Sequence, residues 1–201
     1  HSAIAQAAPG SIDWAAAFGD ADWLHITGIT PAISQSAADL TREALQTAKR
    51  MGLHVSCDLN YRKNLWQYGK TAQEVMGELV PYVDTLIANE EDCQKSLGIT
   101  AGAHDVAAGQ IDVDAYSHIA QAVIARYPNL TRVAITLRQS ITADRNIWQA
   151  CLYEDNQFYL SRAYELSDIV DRVGGGDSFC GGLIYGLNHY DDRQDALAFA
   201  V

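Results

Sequence analysis

The chain of 201 residues has no Cys-x-x-Cys pair, and its four cysteines, Cys57, Cys93, Cys151 and Cys180, stand far apart. That spacing argues against a structural zinc site. Reduced thiols are the simpler reading, and with them a cytoplasmic setting. The six histidines show no metal spacing either. Positive charge is scarce: 14 Lys and Arg face 25 Asp and Glu, for a net charge of −11. Neither nucleic acid nor an anionic membrane is an expected partner for such a chain. An anionic ligand would have to be held by local features against the overall field. No apolar run approaches the ~20 residues of a membrane span. The opening His1-Ser2-Ala3-Ile4 is neither a signal peptide nor an initiator methionine, so the expectation is a piece of a longer protein. Repeats, low-complexity tracts and clear linkers are lacking, which leaves one domain, residues 1–201.

What is present is an alternation of strand and helix signals. Residues 1–10 read as a loop and Ile12 to Phe18 as a short helix capped by Ser11 or Asp13. Strands are expected over Trp23–Thr27, Leu53–Leu59, Asp84–Ala88 and Arg132–Leu137. Between them lies a long helix with Leu40, Ala44, Leu45, Ala48 and Met51 on one face, closed by Gly52. Thr71-Ala72-Gln73-Glu74 opens a second helix with a capping-box pattern. Helices are also expected over Glu90–Leu97 and Val113–Tyr127, with a surface loop over 99–111. Ile147–Tyr153 and Gln157–Tyr164 read as β, with a hairpin turn at Glu154-Asp155-Asn156. Helices from Phe179 to Leu187 and from about Arg193 complete the chain. The fold class is therefore α/β, a mainly parallel sheet between two helical layers. Ligands of such sheets collect beyond the C-terminal strand ends. Gly28-Ile29-Thr30, Asp58, Asn60 and Arg62, Asn89, and Thr136-Leu137-Arg138 are all expected there.

Asp171-Arg172-Val173-Gly174-Gly175-Gly176-Asp177 precedes the Phe179 helix. Glycine backbone can approach a ligand closely, and the free N–H groups of a helix start favour negative charge. A carboxylate at such a point would repel an anion, unless it serves to take a proton from an attacking hydroxyl. The alternative is a loop with Asp177 as a helix cap. Asp58, Asn60 and Arg62 alternate along an extended segment and so share one side, opposite Cys57 and Leu59. Together they could read a polyhydroxy acid, because the Arg fork suits a carboxylate. A strand end with a surface salt bridge fits the same spacing. Asn89-Glu90-Glu91-Asp92 reads equally as an acidic helix start. Arg138 could neutralise phosphates or pair with a surface acid.

The segment from Asp171 through Gly182 resembles the C-terminal signature of the ribokinase (phosphofructokinase-B) family of carbohydrate kinases. Asp58-Leu59-Asn60-Tyr61-Arg62-Lys63 with Leu65-Trp66, the run His25–Ala32, and Thr136-Leu137-Arg138 resemble the branch that phosphorylates 2-dehydro-3-deoxygluconate. The resemblance covers nearly the whole chain. It implies a ribokinase-like three-layer fold without its lid, and an ATP-dependent sugar-acid kinase that uses Mg²⁺. Gly174, Gly175 and Gly176 would form the anion hole and Asp177 would be the catalytic base. Arg62 would hold the substrate carboxylate, with Asp58, Asn60 and Ile29 lining the sugar site. Thr136 and Arg138, with Gly174 and Gly176, would meet the nucleotide. Asn89 matches the first position of the family's Asn-x-x-Glu motif, linked to Mg²⁺ and phosphate. Asp92 stands at the fourth, one methylene short, with Glu91 as an alternative. Homo-oligomers are common among such kinases. The family's further strands, lid and C-terminal tail are not in this sequence, so the isolated chain is expected to have little activity. Two other readings are a family kinase acting on a neutral sugar or nucleoside, and a catalytically silent sugar-acid sensor.

Overall fold

A computed structural model describes residues 2–100, 113–142, 145–171 and 173–201. The expected loop over 99–111 falls almost wholly outside them, as does Arg172 of the glycine motif.

The chain opens with α1 (Ala3–Gln6) and α2 (Trp14–Phe18). α1 lies within the stretch read as loop; it is a single turn, too short to show periodicity. The Asp13 side chain caps α2 by accepting from the Ala16 amide. β1 (Trp23–Thr27) leads to α3 (Ile29–Ile33) and the long α4 (Gln35–Met51). Leu40, Ala44, Leu45 and Ala48 are buried on one face of α4. Met51, expected beside them, is 39% exposed. β2 (His54–Asp58) ends one residue before Leu59. α5 (Ala72–Leu79) carries the expected capping box between Thr71 and Glu74. β3 (Thr85–Ala88) and α6 (Glu90–Asp92) follow, the latter continuing as a π-turn over Cys93–Leu97. α7 (Val113–Arg126) precedes the long hairpin of β4 (Arg132–Ser140) and β5 (Asn146–Glu154). The expected strand over 157–164 is two strands, β6 (Gln157–Leu160) and β7 (Tyr164–Leu166), both paired with β5. α8 (Gly175–His189) and α9 (Arg193–Ala200) complete the described elements.

The sheet order is β1-β2-β3-β4-β5-β6, parallel from β1 to β4 and antiparallel beyond. Alternate side chains enter two cores, as strand geometry dictates. Leu86, Val133, Ile135 and Cys151 meet α4, α5 and α7 on one face. Ile87, Ala134, Ala150 and Leu152 meet Phe179, Leu183 and Leu197 of α8 and α9 on the other. Helices thus cover both faces of the sheet, the three-layer arrangement expected. At the sheet end remote from the glycine motif, Glu154 accepts from Arg132 Nε and Arg193 Nε, each at 2.6 Å, and ties α9 to the hairpin.

Candidate active site

The parallel strands deliver their C-terminal ends to one cavity of about 940 Å³. Every residue singled out for a site role lines it: Ile29, Asp58, Asn60, Arg62, Asn89, Asp92, Thr136, Arg138, Gly174, Gly175, Gly176 and Asp177.

β1 and β2 end in close contact. A Cβ on Gly28 would lie 2.1 Å from the Leu59 carbonyl oxygen, so only glycine lets the two chain ends pass. The Gly28 amide donates to the Asp58 carbonyl at 2.7 Å. Cys57 and Leu59 are fully buried, as the alternation required. The extended segment stops at Asp58, however, and Asn60 turns with φ +40°. Its amide donates to Thr27 Oγ1 at 3.2 Å. Asp58, Asn60 and Arg62 still share the cavity, brought there by a turn and not by a straight strand.

Asp58 is 8% exposed. Burial, then the negative charge of Asp92, pushes its carboxyl up to about 6, against the opposing pull of the Asn60 amide and the Cys180 thiol. Asp92 is also raised, chiefly by burial. Its Oδ2 accepts from the Asn89 amide at 3.0 Å and its Oδ1 from the Tyr61 amide at 2.9 Å. The Asn89 side chain in turn accepts from the Asp92 amide at 2.8 Å. His25 is the exposed residue of β1, and its Nδ1 meets Ser56 Oγ at 2.8 Å.

α8 begins four residues earlier than expected, inside the glycine run. Gly174 is the cap, at φ +86°, a left-handed conformation that side chains rarely adopt. Gly175, Gly176 and Asp177 form the first helical turn, so Asp177 is not the cap. A Cβ on Gly174, Gly175 or Gly176 would meet nothing within 4 Å. Only Gly174 has a backbone reason to be glycine; the next two have open room where a side chain would stand. Asp177 is exposed; its negative charge helps raise the Asp58 carboxyl and partly offsets the burial that lowers His25.

Thr136 and Arg138 lie within β4, which runs on to Ser140, and not past its end. Asn146, paired with Ser140 across the hairpin and 2% exposed, was not singled out from sequence. With its amide oriented to satisfy both ends, it accepts from Arg138 Nη2 at 3.1 Å and donates to Ser140 Oγ at 3.1 Å. Trp148 is a second omission. It lines the cavity and meets Phe179 edge-on, ring centroids 6.5 Å apart. It also borders an adjoining cavity of about 640 Å³, which shares Arg138, Gly174 and Gly175. Thr27 and Tyr116 are further lining residues without a role assigned from sequence. All four belong to strands or helices whose pattern explains them as packing residues, so only the topology reveals them.

Among the described residues no three His, Cys, Asp or Glu side chains converge to hold a metal ion. Mg²⁺ does not require such a cage, since it keeps several waters and commonly binds through substrate phosphates. Asn89 and the exposed Glu90 and Glu91 at the rim fit that use. Among the described residues, no helix is long and apolar enough to cross a membrane.

Residues 3–201 match the pfkB family of carbohydrate kinases. The chain belongs to that family. A 2-dehydro-3-deoxygalactonokinase from Haloferax volcanii is 30% identical over 185 residues, covering 90% of this chain and 50% of that one. A fructokinase from Vibrio alginolyticus is 26% identical over 181 residues, 89% of this chain and 50% of that one. The crystal structure of 2-dehydro-3-deoxygluconokinase from Thermotoga maritima superposes with a TM-score of 0.87 at 42% identity, covering all of this chain and 59% of that one. The pfkB chain described here thus spans about half the length of the curated relatives it matches.

Proposed function

We propose that this carbohydrate kinase domain transfers the γ-phosphoryl group of ATP to the terminal hydroxyl of 2-dehydro-3-deoxy-D-gluconate, giving the 6-phosphate. The observation that carries the reading is the convergence of an exposed carboxylate, an open glycine helix start and a guanidinium on one cavity. Asp177 would orient the sugar hydroxyl and accept its proton. The amides of Gly174 to Gly176 would stabilise the charge of the phosphoryl group in flight. Thr136 and Arg138 would meet the nucleotide phosphates, and the adjoining cavity beside Trp148 would accommodate the rest of the nucleotide. Mg²⁺, held on those phosphates, would supply charge neutralisation, with Asn89 and the acids beside it contacting its waters. Arg62 would grip the substrate carboxylate, while Asp58, Asn60 and the Ile29 backbone line the sugar. The domain would work in the cytoplasm, and as a homo-oligomer.

The test is a coupled ADP-release assay, at the protein's natural length, on a panel of sugar acids and neutral analogues. The acid should be preferred, and Arg62→Ala should raise its KM by about 10- to 100-fold while leaving the neutral analogue unaffected. A fructokinase among the relatives favours a second reading, a neutral-sugar kinase. Equal turnover of acid and neutral analogue, insensitive to Arg62→Ala, would establish that one.

A further inference from the structure

The turn that carries the substrate-side residues is held by unusual means. Asn60 has φ +40°, uncommon for a residue with a side chain although Asn tolerates it better than most. Two contacts hold the turn: the Asn60 amide donates to Thr27 Oγ1, and the Tyr61 backbone N–H donates to Asp92 Oδ1. The Tyr61 carbonyl, one residue before Arg62, accepts from Arg62 Nη1 at 3.0 Å. Asp92 therefore grips one end of a residue whose other end seats the guanidinium.

Asp92 is 4% exposed, and its second oxygen is engaged by the Asn89 amide. Both oxygens thus serve backbone donors from two different chain segments, and little of the side chain reaches the cavity. This is a poor fit to a group that orders the waters of a metal ion. The shorter side chain suits a clamp: it closes a capping box with Asn89 and still reaches Tyr61.

We infer that Asp92 is a positioning residue for the sugar acid, clamping the Asn60–Arg62 turn to the start of α6 so that Arg62 faces the substrate. The inference rests on the sugar-acid reading for its kinetic consequence, but not for its geometry. The clamp also joins the turn after β2 to Asn89 after β3, and so fixes the sugar side of the cavity relative to the side assigned to Mg²⁺.

Two alterations test this at the protein's natural length. Asp92→Ala removes the acceptor. Replacing Tyr61 by its α-hydroxy acid turns the 60–61 amide into an ester, deleting only the N–H and leaving Asp92 and its cap intact. Each should raise the KM for the sugar acid roughly 10-fold or more, with half-saturation by Mg²⁺ unchanged. Hydrogen exchange at the Tyr61 amide should accelerate at least about 10-fold in Asp92→Ala. That readout needs no substrate and tests the clamp itself even if the sugar acid is not turned over. Unchanged Tyr61 exchange, or a Mg²⁺ requirement that rises in Asp92→Ala while the sugar-acid KM stays fixed, would overturn the clamp. If Asp92→Ala does not fold, the ester decides: a sugar-acid KM equal to that of the unmodified protein refutes it.

Discussion

Asp58 sits where burial and function pull apart. Its carboxyl, raised to about 6, takes up a proton more readily in the folded chain than in the unfolded one. Stability from this group is therefore full below the unfolded carboxylate range and is lost as pH rises through about 6. Asp58→Asn should match the parent protein near pH 4 and become relatively more stable above pH 6, by up to about 3 kcal/mol. Urea titrations of both proteins from pH 4 to pH 8 measure this. A constant difference across that range would contradict the assigned cause. The same residue shows how much a motif can carry. The pattern Asp58-x-Asn60-x-Arg62 brought three side chains to the right cavity for the wrong reason, since the strand ends at Asp58 and Asn60 leaves it with positive φ. Side-chain alternation is legible in a sequence; a single left-handed Asn is not. Asn146 was illegible for a related reason. An amide in a strand says nothing until the hairpin register sets it against Ser140 and Arg138.

Helices α8 and α9 hold the glycine loop against the sheet, and they approach so closely that side chains are excluded. A Cβ on Gly186 would lie 2.7 Å from the Ala196 carbonyl oxygen and 2.9 Å from its Cα. Backbone cannot step aside as a flexible side chain can. Gly186→Ala should therefore destabilise by about 1–3 kcal/mol. Gly181, on the same helix, has open space at its Cβ position, so Gly181→Ala should be neutral or stabilising by up to about 1 kcal/mol. Denaturation midpoints of the pair distinguish packing from propensity; equal shifts in both would refute the close-contact account. Elements with strong signals were readable. β1 falls on the expected residues, α4 ends at Gly52, and Thr71 with Glu74 forms its box. The start of α8 was misplaced because glycine has poor helix propensity, and the first turn consists of the residues that suggest a loop. The body of the helix is anchored beyond that turn, by Phe179 and Leu183 packing on the sheet and α9.

The molecule as a whole places acids where anions are expected to react. A chain of net charge −11 brings Asp58, Asp92 and Asp177 to one cavity, and opposes them there with Arg62, Arg138 and a helix start. No single segment contains this balance. It arises because parallel strands from distant parts of the chain end on the same side, which the alternation of strand and helix makes legible in the sequence. The depth of each group was not legible: Asp177 stands exposed, whereas Asp58 and Asp92 are sealed by neighbours that only the fold supplies. In the proposed reaction that contrast favours Asp177 over its buried companions as the proton acceptor. The decisive measurement is sugar-acid-dependent ADP release by Asp177→Asn, at the protein's natural length, with calorimetric binding of the sugar acid alongside. Transfer should fall by at least about 10²-fold with binding retained. An Asn variant that turns over at the parental rate would show that the exposed carboxylate is not the base.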